Sequence, residues 1–160
     1  MASDYLLEID GVKGESKDNK LKDCIEVDSF SWGASNPTSF GSGGGGGTGK
    51  VSFQDMHFTK STDKASPELF FRCANGEHLT KAILHVRKAG KEQQEFYTIS
   101  LQELAVSSFQ SGGHTGAGVT ESFSLGFAKL KFEYKEQSTD GKLLSTVKRG
   151  YDQQKNTEWA

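Results

Sequence analysis

The residues best suited to gripping a phosphate lie in one run. Gly41-Ser42-Gly43-Gly44-Gly45-Gly46 satisfies the dinucleotide pattern G-x-G-x-x-G, and residues 44–50 approach the P-loop pattern. Both motifs work through backbone N–H groups presented where a strand turns into a helix, so that the helix N-terminus faces the anion. Here the next apolar residues, Val51 and Phe53, alternate as a strand does, and Val51 stands where a P-loop needs a Mg²⁺-binding Ser or Thr. Any polyglycine tract meets the first pattern, so the run carries no nucleotide chemistry.

Metal and nucleophile chemistry find no better footing. His57, His78, His85 and His114 form no His-x-x-x-His and sit beside no spaced Cys pair. Cys24 and Cys73 are far apart and outside any Cys-x-x-Cys, which fits buried, reduced thiols in a protein made in the cytoplasm. Ser107-Ser108 belongs to an alternating segment and lacks a G-x-S-x-G elbow. Some of the 21 acidic residues must lie near one another in any fold, so a close carboxylate pair would carry no information. The chain is expected to have no catalytic residue, no cofactor and no metal.

Composition narrows the partners. With 19 Lys and Arg against 21 Asp and Glu, the net charge is −2, and the two signs interleave, as at Lys129, Lys131, Glu133, Lys135 and Glu136. A nucleic-acid binder needs a clustered basic excess, so none is expected. No stretch approaches the roughly 18 apolar residues of a membrane helix. Asp4, Glu8 and Asp10 occupy the region where a cleaved export signal would need basic and then apolar residues. Synthesis in the cytoplasm, without such a signal and without membrane insertion, is the expectation.

The elements that would position these residues are mostly strands. Period-two alternation predicts them near residues 5–9, 25–33, 50–60, 81–88, 95–101, 103–109 and 120–134, the last split near 126–129. Parity breaks between Phe53 and Met56, Val27 and Phe30, and Phe127 and Leu130 each call for an extra residue, a β-bulge that bends a sheet. One helix follows Ser66 as N-cap and Pro67, stops at Asn75-Gly76, and should pack Leu69, Phe70 and Cys73 inward. The expected fold is mainly β: a single small β-barrel of bulged antiparallel strands with one short α-helix and long loops. Residues 1–160 form one domain, with a glycine-rich extended loop at 37–49 and a polar tail at 137–160 holding at most one edge strand. A lectin-like β-rich ligand-binding module and a small hydrolase are the rival classes. Neither an aromatic-rich binding loop nor a catalytic constellation speaks for them.

The order of short motifs resembles one family. Gly11-Val12-Lys13-Gly14-Glu15-Ser16, Ser31-Trp32-Gly33, the run from Gly43 into Gly49-Lys50-Val51, and Gln54-Asp55 are similar to those of Hcp (haemolysin-coregulated) proteins of type VI secretion. Phe58-Thr59-Lys60, Asp63-Lys64, Ser66-Pro67, Arg87-Lys88-Ala89-Gly90 and Val106-Ser107-Ser108 continue the likeness over about residues 4–136. Departures fall at 37–42, at 114–119 and after Gln137. The resemblance implies a structural, non-enzymatic subunit: six copies close a ring, rings stack into a tube, and a contractile sheath fires it. It also implies secretion by the type VI route, contact with a VgrG-like spike at the tip, and small effector proteins carried in the lumen. By the same resemblance Gly41, Gly43, Gly44, Gly45, Gly46, Gly47, Gly49 and Lys50 belong to a ring-stacking loop, and Ser31, Ser111, Gly113 and His114 lie toward the lumen.

Overall fold

The computed structural model describes residues 3–38, 40, 49–88, 93–138 and 142–160. The alternating segments form β1 (Ser3–Ile9), β2 (Ile25–Glu26), β3 (Ser29–Ser35), β4 (Ser52–Ser61), β5 (Leu79–Lys88), β6 (Glu95–Gly112), β7 (Thr120–Gln137), β8 (Leu143–Asp152) and β9 (Thr157–Glu158). A helix, α1 (Ser66–Asn75), joins β4 to β5. Every pairing is antiparallel, in the order β2-β1-β5-β6-β7-β4-β3, with β8 on β7 and β9 on β8.

The fold is mainly β as expected, but the ladder does not close into a barrel. Its two ends, β2 and β3, are halves of the single run predicted at 25–33. The chain turns between them, where the Val27 N–H donates to the Tyr5 carbonyl and the Asp28 N–H to that of Thr59. Covalent continuity stands where a last ladder would be. The predicted break at 126–129 is likewise no interruption. On the edge away from β6, β7 pairs with β4 through residues 120–125 and with β8 through residues 129–137, so 126–128 is where one partner replaces the other. The segments predicted at 95–101 and 103–109 are one strand, β6, passing through Glu103 with a φ of 54°. Beyond Gln137 the chain is more regular than expected, since β8 and β9 together extend the sheet.

The exchange along β7 produces two layers that face each other across one core. Phe58 stacks on Phe123 at 5.0 Å between ring centres, and Leu7, Ile25, Met56, Leu69, Leu84, Ile99, Leu101 and Leu125 fill the space around them. The bulge expected near Gln54 is present: two steps on β3, from Ser31 to Gly33, oppose three on β4, from His57 to Gln54. It turns Met56 and Phe58 to the core while Gln54 and His57 stay outside. A second bulge places an extra residue at Ser107 between Val106 and Ser108. Cys24 is buried and free, and burial first, then the carboxylates of Glu8 and Asp18, push its thiol up to about 11.

The helix keeps its predicted stop, Gly76 with a φ of 69° donating to the Arg72 carbonyl, but not its predicted cap. The N-cap position falls on Ala65, whose methyl side chain cannot cap, and Ser66 becomes the first helical residue, its hydroxyl drawn into a buried ionic network; Asp63 Oδ1 accepts the Ala65 N–H. Of the expected inward stripe Leu69 is buried and Cys73 packs on the core, whereas Phe70 is exposed. Its ring leans on Phe109 at the end of β6.

The network centres on Lys60, whose side chain has 0% exposure. Its ammonium donates to Glu121, to Asp63 at 2.8 Å and to Ser66 at 3.1 Å, so all three protons have acceptors. Glu121 also accepts from the hydroxyls of Ser66 and Thr62. Three elements are thereby tied together: β4 through Lys60, β7 through Glu121 and the start of α1 through Ser66. On the far layer Arg87 donates to both oxygens of Asp18 at 3.1 and 2.9 Å, which draws the Asp18 carboxyl down to about 2 and holds residues 13–23 over β5. Beside it His85 bridges Glu95 at 2.6 Å and Glu8 at 3.1 Å. Burial lowers the His85 pKa, but the two carboxylates outweigh it and leave a net rise; burial likewise raises Glu95, and His85 and Thr98 outweigh it downward.

Removing one member of the buried pair, as in Glu121→Gln or Lys60→Met, is expected to cost about 3–5 kcal/mol by leaving the other unmatched. The joint variant Lys60→Met with Glu121→Leu should recover most of that loss, as urea unfolding at fixed protein concentration would show. His85 supplies stability that is complete below its ordinary pKa and lost as pH rises through its raised value; Glu95 supplies stability complete above its ordinary pKa and lost as pH falls through its lowered one. The difference in melting temperature between wild type and His85→Gln should therefore be widest near about pH 6 and shrink toward about pH 9.

Candidate functional site

Surfaces, rather than a cleft, carry the distinctive chemistry of this chain. On the layer β3-β4-β7-β6 the bulge-corrected alternation sends Phe30, Met56, Phe58, Phe123, Leu125 and Phe109 inward. The opposite face carries Ser29, Ser31, His57, Thr59, Ser122, Ser124, Ser107, Ser108 and Gln110, in rows set by register: Ser31 against His57, His57 against Ser124, Ser124 against Ser108. The hydroxyls satisfy one another. Ser29 bonds Thr59, and Ser124 bonds both Ser107, at 2.7 Å, and Ser108. Small, mutually bonded hydroxyls on a pleated sheet make a flat polar wall whose one titratable member, among these residues, is His57.

The same layer ends in two unpaired edges. Among the described residues β3 pairs only with β4, and β6 beyond Leu104, where β5 stops, pairs only with β7. Four alternating strands make β6 antiparallel to β3. Such edges offer a row of backbone donors and acceptors to another chain.

Ser31 sits in the middle of the wall, exposed and opposite His57. Ser111 is exposed at the end of β6 opposite Glu121, on the face shared with Phe109 and α1, so the sheet separates it from Ser31. Gly113 and His114 are exposed in the β6–β7 connection. Gly41, Gly43, Gly44, Gly45, Gly46 and Gly47 lie outside the described residues. At the base of that segment the Gly49 N–H donates to the Pro37 carbonyl, and Lys50 is exposed near His78 and Glu103. Sequence reading missed the remaining wall residues. Their signal is present as Ser or Thr two apart across an aromatic, in Ser29-Phe30-Ser31 and Ser122-Phe123-Ser124, but it emerges only when strands are aligned.

Among the described residues no group of three or more His, Cys, Asp or Glu is placed to hold a metal, and no helix is long and apolar enough to cross a membrane.

Comparison with known proteins identifies the family. The profile of the family described as "Type VI secretion system effector, Hcp" matches residues 6–134. "Protein hcp1" of Pseudomonas aeruginosa is 44% identical over 161 residues, covering 99% of each chain. Among solved structures, a type six secretion system protein superposes with a TM-score of 0.94 at 30% identity, covering 99% of this chain and 100% of the other. Hcp1 from Salmonella typhimurium does so with a TM-score of 0.83 at 35% identity, over 99% and 100%. A match across most of the chain, with the fold reproduced, settles the assignment: the chain belongs to the Hcp family and is a structural, secreted tube component of type VI secretion.

Proposed function

We propose that six copies of this chain close a ring by pairing the free edge of β3 in one copy with the free edge of β6 in the next. The carrying observation is the direction of the two edges. β3 and β6 are antiparallel within one copy, so rotation about an axis beside the layer brings antiparallel partners together at every joint. A heterologous contact of this kind closes when its rotation divides the circle, and a further axial contact stacks rings into a tube.

Closure in this way turns the core-facing side outward and the hydroxyl wall toward the axis. Ser31 and His57 then line the lumen, with Gly113 and His114 at its rim, while Ser111 falls at the joint between copies. A wall of bonded hydroxyls offers cargo many weak hydrogen bonds and no strong charge, which suits a small effector protein held during passage and released afterwards. Stacking contacts are assigned to the segment containing Gly41, Gly43, Gly44, Gly45, Gly46, Gly47, Gly49 and Lys50, since glycines admit close backbone approach. On this reading the chain works by assembly and not by catalysis. It is made in the cytoplasm as a single domain, leaves by the type VI machinery without a cleaved signal, and meets the contractile sheath outside and a VgrG-like spike at the tip.

Light scattering of the purified protein should give a mass six times that of the 17.4 kDa chain. A monodisperse monomer at micromolar concentration would refute ring closure. Ser31→Glu, placing carboxylates around the lumen, should leave the ring mass unchanged and strip co-purifying effector; retention of effector at the wild-type level would remove Ser31 from the cargo surface.

A further inference from the structure

Besides Phe40 and Leu144, two groups of large apolar side chains are left exposed, and the layer structure relates those two groups. Along β7 successive inward-facing rows are covered in turn. Phe53 of β4 stands over Phe127 and Tyr151 at 5.7 and 6.1 Å. The next row is Phe132, which pairs with Arg149, and Trp32 of β3 covers it at 5.5 Å while donating from its indole N–H to the Tyr97 hydroxyl. The row after that is Tyr134, flanked in register by Tyr97 and Val147. Among the described residues no strand continues beyond β3 to cover it, and Tyr134 and Val147 are 45% and 63% exposed. They form an apolar shelf that projects past the free edge of β3.

At the other end of the layer the relation is inverted. The unpaired part of β6 has material beneath it: α1 runs under its core face, with Phe70 on Phe109. Phe70, Phe71 and the adjoining Val119 are 56%, 55% and 51% exposed. One side of the subunit thus has a free edge above an empty shelf, and the opposite side a free edge above a projecting apolar helix. Isolated exposed hydrophobic residues are ordinary, but two such groups, each lying under an unpaired strand edge, mark an interface.

We infer that the helix face bearing Phe70 and Phe71, with Val119, docks on the Tyr134–Val147 shelf of a second copy of this chain, forming the lower layer of the joint whose upper layer is the β3–β6 pairing. This rests on the ring reading above and gives it a second, apolar contact. Edge pairing alone gives the joint backbone hydrogen bonds but leaves its register weakly set unless an apolar face is covered beneath it. The helix seated on the shelf supplies the burial that fixes it, and it makes the joint heterologous, because the shelf and the helix belong to opposite sides of each subunit.

Val147→Glu and Phe70→Glu test the contact on residues outside the core. Each should weaken ring formation at least tenfold in concentration by light scattering, with the circular dichroism of the folded chain retained. Independently, Phe70→Cys combined with Val147→Cys in a Cys73→Ser background, treated with a short bismaleimide, should give a denaturing-gel ladder reaching six chains. Neither single cysteine should extend beyond a linked pair. Rings that persist unchanged in both Glu variants would overturn the inference while leaving ring closure standing. So would rings that persist while secretion fails, because the patches would then face a different protein. A wild-type chain that is itself monomeric would instead refute the ring reading, and this contact with it.

Discussion

The Lys60–Glu121 contact constrains more of this molecule than any other single interaction. An ammonium and a carboxylate cannot remain charged in a core without complete hydrogen bonding, so their burial dictates the positions of Ser66, Asp63 and Thr62 around them. That in turn fixes where β4 ends and where α1 begins. The helix is short, and Leu69 is its buried hydrophobic anchor; without the polar network its N-terminal turn would have only that anchor to hold its tilt. The exposed aromatic face of the helix, and hence the surface the subunit presents beside β6, is set by an ion pair several residues away. The same geometry sets the helix start: Ala65 takes the N-cap position, and the Ser66 hydroxyl serves the buried carboxylate from the first turn.

Legibility in the sequence followed the range of each physical signal. Strand type and position were readable from Leu7, Ile9, Leu84, Val86, Ile99 and Leu101, because period-two alternation is local. The bulge at residues 54–57 was readable for the same reason, as parity cannot change between Phe53 and Met56 without an extra residue. Pairing was not readable. Gly126 and its neighbours looked like a break because the pattern changes parity there, yet the chain continues and only the partner changes. Glu103, with its positive φ, looked like a boundary for a related reason. Spacing alone would turn Phe70 inward. Spacing defines a stripe but not its width, and on this thin layer only Leu69 and Cys73 fall beneath cover.

The hydroxyl wall shows the same limit from the functional side. Ser29, Thr59, Ser122 and Ser107 come from four strands, and nothing within any one strand distinguishes them from ordinary solvent-facing residues. Register makes them a surface. The lumen residues implied by family resemblance are also divided by register, Ser31 to the wall and Ser111 to the opposite face. Short motifs identify a family well because they preserve turns and packing, as at Gly14, where a Cβ would stand 2.5 Å from the Cys24 carbonyl oxygen. They say little about which side of a sheet a residue meets.

Cys24 bears on what happens to a subunit once it is exported. A thiol with a pKa of about 11 is ionised in roughly one molecule in ten thousand at pH 7, and thiolate is the species that attacks disulfides and peroxides. On a secreted subunit an unpaired cysteine in an exposed position would invite mixed disulfides and covalent aggregation. Seclusion beneath residues 13–23, next to carboxylates that further disfavour the anion, holds the Cys24 sulfur back from such exchange. Cys24 itself therefore needs neither a partner thiol nor an oxidoreductase once the subunit is exported.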